Sequence, residues 1–428
     1  MNQRGISLFS AVNLVVASMI GAGVYTTSGF SLGGLETPGR VIAAWIVAGV
    51  IAICGAISYG SLAGRFRESG GEYLFLSRVL HPAAGYVAGA VSVIAGFTGA
   101  TAIAAVAFES YLPSFSTFAG LRPGTMASIV IIVAALMHGV QSRLGPPVQN
   151  ALVVAKFIML AAFFAVAIAS YPEKWATADS PAVTPAAFSW VSFAVALMWI
   201  SLSYSGFNAA IYVAGEVRDP AINVPRSLWI ATLLVMAIYV GLNIVFVFAP
   251  QRELIVNQEQ IAVIAARTIG GVRFESFIRV VILVSLATSV SAMMMSGPRV
   301  YAKMADDGVL PRWFSFQKKA PTFAVAVQAL TAILIVQIST LQRLLGYLGF
   351  TLSVTAAIAV STIFVMRARG ERIEVPFYPV PPLVFVAATL VIATVAGVQQ
   401  PASAVTGLLT MATGLLLYAC RRRAPLPQ

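Results

Sequence analysis

The sequence predicts an all-α integral membrane protein of twelve spans, with the first and sixth spans broken at mid-membrane depth. Three observations carry this. Hydrophobic residues make up 59% of the 428 and charged residues only 10%, against about 25% charged in a soluble domain. Apolar stretches of roughly 18 or more residues recur from end to end, the length an α-helix needs to cross a bilayer. Two of those stretches are interrupted by small residues: Gly21-Ala22-Gly23 in the first, and Ser203-Tyr204-Ser205-Gly206 in the sixth.

The spans fall at 8–34, 38–64, 81–112, 123–141, 146–171, 187–215, 224–249, 272–302, 321–338, 341–366, 378–398 and 402–420. The third is long for a bilayer and is expected to tilt or protrude. The first is too long, and lacks the small-residue exit, to be a cleaved signal peptide. Basic residues crowd the loops of one side: Arg65, Arg67 and Arg78 after the second span, Arg218 and Arg226 after the sixth, Arg299 and Lys303 at the end of the eighth. Arg421 to Arg423 lie on the same side and suit an anchor to anionic lipid. The opposite side holds fewer, which places both termini in the cytoplasm and the chain in the plasma or inner membrane. The formal net charge of +12 thus reads as basic inner loops, not as a nucleic-acid surface.

The chain reads as a single membrane domain, 1–428, with no soluble appendage. Each break lies in the first helix of a five-helix block, 1–171 and 187–366, and two additional helices occupy 378–420. Five is odd, so the second block starts from the opposite side of the membrane. That is an inverted repeat, and a break in corresponding helices of the two halves points to a secondary-transporter binding site. Unwound backbone at this depth is tolerated only around a cavity or a ligand, because lipid cannot satisfy its N–H and C=O groups. The competing reading, helix packing through small residues as in G-x-x-x-G contacts, explains one glycine better than it explains two matched clusters.

Four segments resemble motifs of the amino acid permeases of the amino acid–polyamine–organocation superfamily. They are Ile20 to Tyr25 in helix 1, the run from Ser69 after helix 2, the run from Gly215 after helix 6, and the run from Gly297 after helix 8. Their order and placement are most similar to the branch holding the light subunits of heteromeric exchangers and their bacterial relatives. The resemblance implies a LeuT-type fold and secondary transport of amino acids by alternating access, through proton symport or exchange. Light subunits bond to a partner through a Cys between helices 3 and 4. The loop from Ser114 to Arg122 has none, so no disulfide-linked partner is expected.

The residues of the breaks fit an amino acid. The half-helix after Gly23 begins with free N–H groups and a positive dipole end, suited to a carboxylate. The half-helix before Gly206 ends in free carbonyls around Ser203, suited to an ammonium. Candidate substrate contacts are therefore Ile20, Gly21, Ala22 and Gly23, with Ser203, Tyr204, Ser205 and Gly206. Phe207 follows the second break, and the resemblance implies an aromatic gate there. Lys156 stands about ten residues into helix 5, roughly 15 Å from either surface. A Lys at such depth is costly and usually functional. The resemblance implies that its ammonium takes the place of the cation of sodium-dependent relatives, bound to carbonyls of the first half-helix and to Ser289. Thr288, Ser289 and Ser291 are candidates to line the same cavity.

No Asp or Glu falls at the centre of a span, which favours neutral amino acids of small to medium size over polyamines or cationic amino acids. Glu72 and Tyr73 read as an interfacial segment, and Glu109 as interfacial. Arg218-Asp219-Pro220 and Asp306-Asp307-Gly308 read as turns and inner-gate contacts. His81 and His138 have no metal-binding company, and Cys54 and Cys420 are too far apart in setting for a disulfide. Neither a cofactor nor a metal is expected. An enzyme would need clustered His, Cys or carboxylates at one depth. A channel would need repeated pore-lining motifs. A non-transporting amino acid sensor of the same fold remains the rival that transport measurements separate.

Overall fold

The computed structural model describes residues 5–112, 122–140, 145–171, 173–175, 187–316, 320–338 and 341–420. The span 3–4 loop from Ser114, and the basic tail Arg421 to Arg423, lie outside these residues. The described chain is helical throughout. An isolated parallel bridge joins Ile6 and Val217. Among the described residues eight helices are long and apolar enough to cross a membrane, or nine when a bent pair counts as one. Three shorter apolar helices, Thr125–Gly139, Trp190–Ser203 and Thr322–Ile338, complete the bundle.

The bent pair is α1 (Leu8–Met19) and α2 (Gly23–Leu35), which meet at 41°. α1 starts where the Ser7 side chain accepts from Ser10 N at 3.2 Å, one of the free N–H groups of a first turn. It ends at Ile20, whose ψ of 87° is not helical. α3 (Pro38–Arg65) follows, with Thr37 as N-cap and Pro38 in its first turn. That is the position where a missing N–H does no harm. We call the end of the bundle where α1 begins and α3 finishes the near end.

At the near end the chain turns back into the bundle. Gly70 (φ 135°) and Gly71 (φ 57°) take backbone angles that favour glycine, and α4 (Glu72–Val79) runs inward from them. A Cβ on Gly71 would meet the Tyr212 ring at 2.3 Å, so the close approach requires glycine a second time. α5 (Pro82–Val91), a π-helical stretch (Ser92–Gly99) and α6 (Ala100–Ser110) then form one continuous span. The expected length of the third span is thus accommodated partly by wider winding. Such π stretches are frequent at functional sites.

α7 (Thr125–Gly139) and α8 (Gly145–Ala169) complete the first half. Glu109 accepts from Gly124 N at 2.6 Å and Ala127 N at 2.8 Å, which caps α7 with a carboxylate where the helix dipole favours one. α9 (Trp190–Ser203) stops at the second break, where Gly206 has φ 96°. The chain resumes not as an α-helix but as a 3₁₀ stretch, Ala209–Glu216. α10 (Pro220–Phe248), α11 (Arg252–Ile255) and α12 (Ile261–Asp306) follow. Gly271 (φ 66°) divides α12, so the expected eighth span is its second part, extended at its end to Asp306. α13 (Thr322–Ile338), α14 (Leu341–Ala368), α15 (Val380–Gln399) and α16 (Pro401–Cys420) end the described chain.

The near end is sewn shut by polar contacts. Ile6 N donates to Glu216 O at 2.8 Å and Arg218 N to Ile6 O at 3.0 Å. The Arg299 guanidinium grips both carboxylate oxygens of Glu216. Lys303 pairs with Glu68 at 2.6 Å and Asp307 at 3.0 Å, and Tyr73 OH donates to Asp307 at 2.9 Å.

Candidate functional site

The two breaks meet around one cavity of about 210 Å³. Gly21, Ala22 and Gly23 line it from the first break, and Ser203, Ser205, Gly206 and Phe207 from the second. It runs from Tyr111 and Glu259, toward the far end, down to Glu72 and Tyr212 at the floor. The π stretch contributes Ser92, Gly96 and Phe97 to its wall.

The approach of the broken helices is close enough to dictate sequence. A Cβ on Gly23 would lie 2.2 Å from Ser203 Oγ and 3.1 Å from Ser203 Cα. A Cβ on Gly206 would lie 2.7 Å from the carbonyl oxygen of Ser18. Gly21 differs: its nearest neighbour would be Ser289 Oγ at 3.7 Å, an ordinary contact. The packing and binding readings of these glycines are therefore not rivals. The same glycines let the half-helices touch and leave their ends facing the cavity.

Two candidates are placed elsewhere. Ile20 is fully buried in the core and is not part of the cavity wall. Tyr204 turns away, donating its hydroxyl to Trp45 O at 3.0 Å and packing against Trp45 and Tyr239. Phe207 rests edge-on against Tyr59 and Phe385, with centroids 5.5 and 5.7 Å away, at the side of the cavity.

Lys156 is fully buried and donates to Thr288 Oγ1 at 3.2 Å. That bond ties α8 to α12. Gln149, two turns earlier on α8, donates to the Thr288 carbonyl at 3.1 Å. Ser289 faces Gly21 and the cavity instead, and Ser291 bonds His138 Nε2 at 2.8 Å. Of the three hydroxyls expected to line the cavity, only Ser289 does. Successive helical residues are separated by about 100°, so neighbours at 288 and 289 cannot share a facing helix, whereas 288 and 291 can.

Two residues of the site have no counterpart among the sequence candidates. Tyr239 of α10 places its hydroxyl 2.6 Å from Met19 O and 2.9 Å from Ser203 O. One phenol thus serves the last carbonyls of both interrupted helices. Glu72, expected at the interface, is 5% exposed and lines the cavity floor. Its Oε1 accepts from Tyr59 OH at 3.0 Å and Asn208 Nδ2 at 2.7 Å, and its Oε2 from Tyr212 OH at 2.6 Å. The signal that could have found it is the pair of glycines before it, which turn α4 into the bundle. No group of His, Cys, Asp or Glu suited to a metal occurs among the described residues.

A bundle of membrane-length helices, two of them broken over a shared polar-ended cavity, is the architecture of a membrane transport protein rather than of an enzyme. The chain belongs to the amino acid permease family, whose model matches residues 6–420. It is 24% identical to the mouse large neutral amino acids transporter small subunit 2, covering 97% of this chain and 80% of that one. It is 22% identical to the serine/threonine exchanger of Bacillus subtilis, covering 90% of this chain and 89% of that one. It is 23% identical to human b(0,+)-type amino acid transporter 1, over 91% and 81%.

Proposed function

We propose that this protein carries neutral L-amino acids across the cell membrane by alternating access, without sodium, either with a proton or in exchange for another amino acid. The observation that carries the reading is the pair of broken helices facing one cavity, with α2 offering N–H groups and α9 offering carbonyls. An amino acid zwitterion matches both ends at once. Family membership and the transporter relatives support amino acids as the cargo.

Twelve spans follow when the three shorter apolar helices are counted with the nine long ones, giving the five-plus-five LeuT-type repeat and two further helices in one domain. The basic loops assign the near end to the cytoplasm. The ion pairs there close the inner side, and the cavity reaches toward the outer one. Lys156, joined to Thr288, bridges helices 5 and 8 as a bound cation would. The loop between helices 3 and 4 has no Cys, which supports a carrier without a disulfide-linked subunit.

One observation favours a cationic or polyamine cargo: Glu72 on the cavity floor. Its oxygens are already taken by three donors, which leaves it a poor counter-charge. Competition against labelled substrate in proteoliposomes, with alanine, serine, leucine, arginine and putrescine in turn, tests the reading. Alanine, serine or leucine compete, putrescine does not, and uptake is equal in sodium and choline buffers. A strict sodium requirement, or competition by putrescine alone, refutes it. Binding without flux identifies a sensor.

A further inference from the structure

We propose that Glu72 is the proton-binding group of this carrier, and that its protonation loosens the hold of α4 on the inner half of helix 6. The inference rests on the transport reading above and deepens it, choosing proton coupling over simple exchange.

Glu72 joins three elements that alternating access must separate. Tyr59 comes from α3, Glu72 from α4, and Asn208 and Tyr212 from the segment after the second break. All three donors are neutral. Among the described residues no Lys, Arg or His forms an ion pair with Glu72, and three neighbouring cations are engaged elsewhere. Lys303 of α12 holds Glu68 and Asp307. Arg299 of α12 holds Glu216. Arg369, just after α14, donates to Val79 O at the far end of α4. His81, before α5, accepts from Ala83 N. Tyr73 on α4 itself turns to Asp307. A buried carboxylate without a counter-cation disfavours its charge. Glu72 lies outside the spans, and burial raises its pKa above the usual carboxylate value despite the three donors.

The cluster can take up a proton without losing its bonds. A proton on Oε2 reverses the bond to Tyr212, because a phenol both donates and accepts. The Tyr212 hydroxyl proton then turns toward Ser92, which lines the same cavity. Oε1 still accepts from Tyr59 and Asn208. What changes is strength, since charge-assisted bonds are about twice as strong as neutral ones. The proton enters from the cavity that Glu72 lines. Once the inner half of helix 6 swings away, water reaches the carboxyl, its pKa falls toward about 4.3, and the proton leaves on the other side.

The test uses the purified full-length chain in proteoliposomes holding a pH-sensitive dye. Wild-type uptake of the best neutral substrate acidifies the lumen and speeds up when the outside is acid. Counterflow by E72Q is flat across the pH range in which the wild-type rate changes, above the ordinary carboxylate value, and no acidification accompanies its uptake. Y212F removes a donor that stabilises the carboxylate, so its pH midpoint moves upward from that of the wild type. A merely structural role lowers the rate equally at every pH. Y212F carries the test alone if E72Q does not insert. Acidification retained in E72Q, an unmoved midpoint in Y212F, or a changed arginine preference with an unchanged pH profile overturns the proposal. Wild-type net uptake without lumenal acidification overturns it too, and intact counterflow then leaves the transport reading standing. Absence of counterflow with every amino acid overturns the transport reading itself.

Discussion

A single methyl group at Gly23 tests how the two broken helices are joined. In Gly23→Ala the new Cβ sits 2.2 Å from Ser203 Oγ, 2.9 Å from Ser203 Cβ and 3.1 Å from Ser203 Cα. The first contact is about 1.2 Å short of an ordinary one. Rotating the hydroxyl removes only that contact, and the other two force α2 and α9 apart. Overpacking of this kind costs about 1–3 kcal/mol. The displaced atoms are also the ones proposed to hold the substrate, so affinity falls by about tenfold, or 1.4 kcal/mol. Gly21→Ala is the control, because its Cβ meets nothing nearer than 3.7 Å, and it keeps wild-type thermal stability. Ser203→Gly in the Gly23→Ala background removes the two shortest contacts and recovers at least half of the lost stability. Equilibrium binding on detergent-purified protein, corrected for the monodisperse fraction, measures the affinities. Wild-type affinity and melting temperature in Gly23→Ala would falsify the close approach on which the site is built.

Two other perturbations separate coupling from folding. Lys156→Met fills the same buried space without charge; it leaves the protein folded and slows net uptake by about tenfold or more, since a central Lys marks function, and a wild-type rate shows that the bridge to Thr288 is dispensable. Arg299→Ala breaks the grip on Glu216, worth about 1 kcal/mol once the partial exposure of Glu216 is allowed for; deuterium exchange of 209–216 should then rise about fivefold, and unchanged exchange means that the ion pair does not hold the near end.

The bundle was legible because hydropathy at span length leaves few alternatives, and the breaks because Gly206 needs its positive φ and Gly23 its missing side chain. Lys156 stood out because a cation deep within an apolar run is costly and must find partners there. The rest depended on information a linear pattern does not carry. Glu72 reaches the cavity only through the angles at Gly70 and Gly71, so an acid outside every span became part of the floor. Tyr239 is one aromatic in a long apolar helix, and nothing local announces that two distant carbonyls converge on it. The division of labour among Thr288, Ser289 and Ser291 follows from helical rotation relative to neighbours whose positions the sequence alone does not fix.

The bridge between Ile6 and Val217 makes the start of the chain a passenger of helix 6. Its two backbone bonds clamp Ile6, two residues before α1, between the carbonyl of Glu216 and the amide of Arg218. A spectroscopic label attached near residue 5 therefore reports on both interrupted helices together. The distance from it to a label at 217 should stay constant through the cycle, while the distance from either to α3 changes. Anything fused to the amino terminus pulls on the same joint, so a bulky tag there handicaps the carrier more than one at the other end of the chain.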